Sequence, residues 1–522
     1  MKENYKKIAI FCDLTKKTGM GHVKRMLSLS FEFQKRNCKS YYFFDNKDKF
    51  YINNLSINLS PIFININEIK TKNIIKKFED LNISIIVFDS YKYGYEIESK
   101  FRKKGFFVIS IVDHVKKHSS NLIFSNRMNA HFISDSKTQW YMGAKYCLIK
   151  NKVNKKSKTH FLNDSLDSKK ILLHAGAASL YHEIINFTIN TIKYFKKNSI
   201  KISILCTNEK SKKIINKISL DLKCKSLIKI ISYKRNLYNT LVKYDIVAGP
   251  SGITTFETIL VGSLPFTFQL TDDGRDSLES WNSIGNLMHL TFAEKNNKKI
   301  VTSSWELISN KCSTLKTILK TNSNEIDGKG PERIAKIILS ESKKKIKRYK
   351  NLKKQIINKN YETVKCNYYD MREFLKTRNS IKNRKVSTNP KDVINWPEHV
   401  KWWIDDRITK YKIITEYQIV AFHWLKPKKD LYGNFLTSGW FIKKNAKKKI
   451  KISLKIMESQ LLIAKKNYKG FHWIIIIRNE NKFIISFSLR IGFVKASKKT
   501  VERASIIFKI KSEDYKIMEM KL

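Results

Sequence analysis

The chain has 522 residues, 42% of them hydrophobic, enough for a large buried core and for roughly two to four domains. Its 102 Lys and Arg against 45 Asp and Glu give a formal net charge of +57, yet the lysines run through every segment and only Lys336 to Lys354 and Lys443 to Lys451 are dense; a bias spread this evenly argues against nucleic acid as the partner while leaving a field that draws in small anions. Seven cysteines without a CxxC pair, no apolar run near the roughly 20 residues of a membrane span and no cleavage-site pattern lead us to expect a cytoplasmic protein with reduced thiols, no metal site and no membrane segment.

From Lys7 to about Leu148 short apolar runs ("IAIFCDL", "SYYFFD", "ISIIVFDS", "FFVISIVDH", "YCLIK") alternate with polar helical stretches, the rhythm of a doubly wound parallel sheet. A second series follows, with "KKILLHAG", "IKISILCT", "LIKIISY", "YDIVAGPSG" and "LPFTFQL" as strands. The expected fold class is therefore α/β, with an N-terminal domain over residues 1–153 and a nucleotide-binding domain over residues 154–340, paired in the GT-B manner with the ligand in the cleft between them. Residues 341–365 carry apolar positions at helical spacing without Gly or Pro and predict a lysine-rich helical connector. Residues 366–522 change to an α+β style and predict a third domain.

Two stretches carry chemistry. In "TGMGHVKRMLSLS" the glycines Gly19 and Gly21 separate a buried first strand from a helix, a layout that aims backbone N–H groups and His22 above the strand's carboxyl end. In "DIVAGPSGITTFETILVGSLP" a strand ends in a turn of Gly249, Ser251 and Gly252, Thr254 and Thr255 open a helix, and Glu257 lies just inside it. That pattern by itself fits best an ordinary helix cap with an acidic first turn; the other reading is a phosphate loop followed by a carboxylate that accepts two ribose hydroxyls.

"GMGHVKR", "VFDSYKY", "MGAKYCLIKNKV", "GPSGITTFETILVGSLP" and "IDGKGPERIAKIIL" resemble, in that order, the motifs of the PseG group. These are UDP-2,4-diacetamido-2,4,6-trideoxy-β-L-altropyranose hydrolases of pseudaminic acid biosynthesis, related to MurG-type GT-B glycosyltransferases. The resemblance implies hydrolysis at the anomeric carbon with inversion, releasing UDP, without cofactor or metal. His22 matches the histidine taken as the base that activates water, a role suited to an imidazole near neutral pH. Gly19 and Gly21 would admit the substrate to the backbone, with Arg25 one turn on among the nucleotide contacts. Tyr91 would position the sugar, Asp13 would orient His22, and Gly176, Ser251, Gly252, Thr254, Thr255 and Glu257 would hold the nucleotide. The chain departs from the family at Gly176 to Ser179, where Gly-Gly-Ser-Asp is usual, and at Asp273 and Gly274, where Asn-Gln is usual.

"DMREFLKTRNSIKNRKVSTNPKDVINWPEHVKWW" resembles the opening of GNAT-fold N-acetyltransferases of the PseH or ribosomal-protein-acetylating kind through Arg378, Asn379, His399, Trp402 and Trp403, and "NKFIISFSLRIGF" continues the likeness through Asn481, Gly492 and Phe493. This implies acetyl-CoA as a ligand of the third domain. The stretch Asn445 to Lys455, where a glycine-rich pyrophosphate loop is expected, has no glycine, and Ser488 stands where many relatives have a tyrosine acid. The reading is a UDP-sugar hydrolase fused to a sugar N-acetyltransferase domain, in nonulosonic-acid or surface-polysaccharide synthesis. Its rivals are a GT-B glycosyltransferase and a basic glycan- or nucleic-acid-binding protein with decayed sites.

Overall fold

In the computed structural model the apolar runs of the first third become strands of one sheet: β1 Lys6–Cys12, β2 Cys38–Asp45, β3 Pro61–Ile64, β4 Ile83–Asp89, β5 Phe107–Ile111, β7 Leu122–Ser125 and β9 Gln139–Met142, with β6 Lys117–His118 and β8 Ile133–Ser134 forming a separate pair. The structure describes residues 6–13, 21–45, 61–64, 72–113, 117–127, 133–134, 138–149, 165–166, 168–174, 181–206, 209–232, 237–270, 278–343, 361–387, 392–415, 418–508 and 510–522. They divide into two compact units, Met1–Leu352 and Lys353–Leu522.

The first sheet is parallel with order β3-β2-β1-β4-β5-β7-β9. Alternation along β1 explains why it is buried on both faces, as parallel sheets are. Ile8, Ile10 and Cys12 pack with Val23, Met26, Leu29 and Phe33 of the helix Gly21–Gln34, while Ala9 and Phe11 pack with Ile74, Phe78, Ile97 and Phe101 on the other side. Strand order reverses between β1 and β4, which opens a crevice at their carboxyl ends.

The second series forms β10 Ile171–His174, β11 Ile202–Cys206, β12 Ile228–Ser232, β13 Ile246–Pro250, β14 Leu264–Phe268 and β15 His289–Leu290, a parallel sheet of order β12-β11-β10-β13-β14-β15 that reverses between β10 and β13. The helix Gly330–Glu341, which carries most of the motif "IDGKGPERIAKIIL", packs on the first sheet: Ile334, Ala335 and Ile338 lie in the same core as Val23, Met26, Leu29 and Phe33. Gly330 makes this return fit, since a Cβ there would stand 2.0 Å from the Cys147 carbonyl oxygen. Arg333 Nη1 donates to the Lys145 carbonyl at 3.1 Å. The two sheets lie on either side of residue 153, and the helix at the end of the span 154–340 packs on the first of them.

The second unit is a mixed sheet of β16 Glu362–Lys365, β17 Thr409–Thr415, β18 Gln418–Asp430, β19 Gly433–Ile442, β20 His472–Arg478, β21 Val494–Lys495 and β22 Tyr515–Lys521, in the order β16-β17-β18-β19-β20-β22-β21. Residues 362–365, expected to end a helix, pair antiparallel with β17 and are the edge strand; this tertiary pairing overrides helical periodicity. The rest of the expected connector, residues 344–360, lies outside the described residues. β19 and β20 are parallel and pair only at Phe435 with His472 and Leu436 with Trp473. Among the described residues no helix is long and apolar enough to cross a membrane.

Candidate active site

His22 and Arg25 lie one turn apart on the first helix of the first unit, a spacing that puts both on one face. That face meets the end of β4. His22 Nδ1 is 2.8 Å from Asp89 Oδ1, and Arg25 clasps the same carboxylate, donating from Nε to Oδ2 at 2.6 Å and from Nη2 to Oδ1. Asp89 is 0% exposed and, as a carboxylate, only accepts hydrogen bonds. His22 Nδ1 also lies 3.1 Å from the Asp89 carbonyl oxygen and 3.0 Å from Arg25 Nη2; in the tautomer that donates from Nδ1 to Asp89, Nε2 keeps a lone pair.

Arg25 also reaches the bend that follows β5. Its Nη1 donates to both oxygens of Asp113, at 2.9 and 2.8 Å, and the Tyr91 hydroxyl donates to Asp113 Oδ2 at 3.2 Å. Burial works against an ionised Asp113, but the Arg25 charge, with His22, the Arg25 hydrogen bonds and Arg127, outweighs it and holds the carboxyl at about 2. Burial likewise works against the Arg25 guanidinium, and Asp113 and Asp89 more than reverse that, so its pKa stands well above the ordinary value. The Tyr91 ring stands edge-on to His22, centroids 4.9 Å apart at 85°.

Asp13 is not the residue that orients His22. Its Oδ1 accepts from the Ser90 hydroxyl at 2.6 Å and its Oδ2 from the Tyr91 N–H at 2.7 Å, so it shapes the turn that presents Tyr91. Arg25, expected among the nucleotide contacts, spends its donors on two carboxylates. Gly21 opens the helix and faces the second sheet's domain, where a Cβ added to it would be 3.8 Å from Ile253 Cδ1. The two motifs singled out in the sequence thus meet.

On the other side, helix Ile253–Leu260 follows β13 with Gly252 as its cap, whose N–H donates to Thr255 Oγ1 at 3.2 Å. Thr254 O accepts from Thr258 Oγ1 at 2.8 Å, and the Ser251 N–H donates to Phe268 O at 3.0 Å. Glu257 is 7% exposed. Its charge reaches the Cys147 thiol and the Tyr238 phenol, both already pushed up by burial. Gly249 has a packing reason: a Cβ there would lie 2.4 Å from the His174 ring at the end of β10. Burial lowers His174 to about 4, so the imidazole beneath this turn is neutral. Gly19, Gly176, Asp273 and Gly274 lie outside the described residues.

In the second unit β19 and β20 separate beyond Leu436 and Trp473, and a cavity of about 600 Å³ lies against Arg378, Trp402, Trp424, Gln460, Asn481 and Ser488. Gln460 Nε2 donates to the carbonyls of Trp424 and Gly439, at 3.2 Å each, whereas Gln460 Oε1 and Ser488 Oγ are buried without a hydrogen-bond partner. Asn379 staples a loop, donating to Ile394 O at 2.8 Å and accepting from Ile394 N at 3.2 Å, and Arg378 Nη1 donates to Asp392 O at 3.0 Å. His399 Nε2 donates to Met371 O at 3.1 Å amid Phe374, Trp396, Trp402 and Trp403, and burial pushes it down to about 3. Asn481 caps helix Lys482–Arg490. Among the described residues no three His, Cys, Asp or Glu side chains are grouped to hold a metal ion.

No family model matches the chain. An uncharacterised protein of Methanocaldococcus jannaschii is 23% identical over 268 residues, 49% of this chain and 54% of that protein, so the chain spans about half the length of the curated relative it matches. Among solved structures, MurG of Acinetobacter baumannii is similar over 64% of this chain and 99% of its own, with 11% identity and a TM-score of 0.48. A UDP-GlcNAc 2-epimerase from Neisseria meningitidis, bound to UDP-GlcNAc, is similar over 64% of this chain and 100% of its own, with 14% identity and a TM-score of 0.44. With scores below 0.5, the fold rests on the chain's own sheet order.

Sequence reading missed Asp89, Asp113, Tyr238 and His174 as members of these sites. Asp89 stood inside a quoted motif, and Asp113 and His174 each end an apolar run, so a signal existed: polar residues at the carboxyl ends of central parallel strands. Tyr238 had none.

Proposed function

We propose that the first unit is a GT-B-type nucleotide-sugar hydrolase, PseG-like, that releases UDP from a UDP-2,4-diacetamido-trideoxy sugar in the cytoplasm, serving pseudaminic (nonulosonic) acid or surface-polysaccharide synthesis. The observation that carries this reading is the His22–Asp89 pair, which leaves Nε2 as an acceptor at the crevice. Water gives a proton to Nε2 as its oxygen bonds to the anomeric carbon, and the bond from that carbon to the phosphate oxygen breaks with its electron pair leaving on UDP. Asp89 balances the imidazolium so formed. The nucleotide is assigned to the start of helix Ile253–Leu260, where backbone N–H groups suit phosphate, with Glu257 accepting the ribose hydroxyls.

For the second unit the reading is a GNAT-type N-acetyltransferase domain that takes acetyl-CoA between the splayed strands β19 and β20. The motif resemblance and the cavity between those strands support it. Acetylation of a UDP-amino sugar supplies an acetamido substrate of the kind that the first unit would hydrolyse.

The test is to incubate the protein with the UDP-2,4-diacetamido sugar and follow UDP and free sugar. Release without any acceptor supports a hydrolase. Release only with a hydroxyl acceptor makes the protein a glycosyltransferase, and no release from any UDP-sugar returns it to a glycan- or nucleic-acid-binding protein.

A further inference from the structure

The hydrogen-bonded group around His22 has a buried end and an open end. Asp89 is fully buried, while the Asp113 side chain is 24% exposed. Asp113 receives two hydrogen bonds from Arg25 Nη1 and one from the Tyr91 hydroxyl. A carboxylate offers about four acceptor positions, which leaves one on Oδ1. Arg127 adds to the field at Asp113, and the lowered pKa favours the ionised carboxylate near neutral pH. An ionised carboxylate cannot donate, so it takes no phosphate oxygen; it takes an N–H or an O–H.

We propose that Asp113 is a sugar-recognition residue: it accepts a hydrogen bond from an acetamido N–H, amine or hydroxyl on the sugar of the nucleotide-sugar, and Arg25 couples that contact to Asp89 and His22. This rests on the nucleotide-sugar reading above. The geometry supports the coupling because one rigid guanidinium fork touches both carboxylates, so a sugar seated on Asp113 is registered against the nitrogen that accepts the proton. A donor-bearing ring is thereby favoured over one with a hydrogen or ether oxygen at that place, since covering the remaining lone pair on Asp113 Oδ1 without a donor is costly.

The experiment compares dissociation constants of UDP and of the UDP-2,4-diacetamido-trideoxy sugar, by calorimetry, for the full chain and for Asp113→Asn and Asp113→Glu. Asparagine keeps the size and removes the charge; glutamate keeps the charge and moves the oxygens by one bond. The expected result is a loss of sugar-nucleotide affinity on the order of 10- to 100-fold in Asp113→Asn, a smaller loss in Asp113→Glu, and unchanged UDP affinity in both. Equal weakening of UDP and of the sugar nucleotide would make Asp113 a structural brace and overturn the proposal, as would variants that keep the wild-type preference. A wild-type chain that binds neither ligand would overturn the nucleotide-sugar reading and this inference together, an outcome separate from the first two. Should Asp113→Asn fail to fold, Asp113→Glu decides alone.

Discussion

The crevice of the first unit and the cavity of the second bury their histidines almost equally, at 5% exposure for His22 and 3% for His399, and use them differently. His22 has a carboxylate on Nδ1, and the charges around it are paired through Arg25. His399 has only a backbone carbonyl and a wall of aromatic rings, which keep it neutral. Burial is common to both; an acid able to balance an imidazolium is present only at His22, which is what the proposed base role needs. The second cavity holds two buried polar atoms without a hydrogen-bond partner, Gln460 Oε1 and Ser488 Oγ, whereas in the first site Arg25 and Tyr91 already hydrogen-bond to Asp113 and leave one acceptor position on Oδ1.

The contrast breaks most sharply at His22. His22→Ala is expected to slow UDP release on the order of 100-fold or more while UDP binding persists, whereas His399→Ala leaves UDP release alone. Steady-state assays on both variants, with UDP calorimetry, check it; a His22 variant with wild-type turnover ends the assignment.

Glu257→Ala comes next. Loss of a charged acceptor for ribose hydroxyls is expected to weaken UDP binding by about 1.5–3 kcal/mol. Titration with UDP reads this directly, and equal dissociation constants would leave Glu257 as a helix-start residue.

Acid sharpens the comparison between the units. His174 in the first unit is lowered to about 4, and His399 and His423 in the second to about 3, all by burial. Below roughly pH 6.5 the unfolded chain binds a proton at each of these histidines and the folded chain does not, so stability falls from there down to the folded values, by up to about 1.4 kcal/mol per pH unit for each group. With two such histidines against one among the described residues, residues 353–522 are expected to lose hydrogen-exchange protection more steeply between pH 6 and pH 4 than residues 1–352. Parallel losses would contradict this.

The smallest expected effect concerns acetyl-CoA. The chain before helix Lys449–Asn467 has no glycine and holds Lys448 in a left-handed conformation at φ +53°, so attraction at the cavity mouth falls mainly to lysines such as Lys382 and Lys449. Binding is expected to be weak and to fade between low and physiological salt. Calorimetry of the full chain at both salts tests this, and tight, salt-insensitive binding would refute it.

Local signals were legible. The strand before His22 and the helix that carries it, the turn before Glu257 and the two parallel α/β series were all readable, because apolar periodicity and turn chemistry act between near neighbours. The family resemblance, which matches Asp13 to an acid after the first strand, makes it the residue expected to orient His22. The register decided otherwise: β1 pairs with β4 so that Cys12 lies beside Asp89, and an acid 67 residues away in sequence ends up on the imidazole.

What the sequence by itself determined is which segments bury which faces, and hence both sheets and the helix that carries His22 and Arg25. Only the tertiary structure decided which carboxylates meet that helix, why Gly249 and Gly330 must be small, and that the helix Gly330–Glu341 completes the first core rather than the second. The physical reason is common to all of these. Hydrophobic burial is non-directional and reads out from pattern. Hydrogen-bond partners and steric clearances depend on register and crossing geometry, which no local run of residues contains.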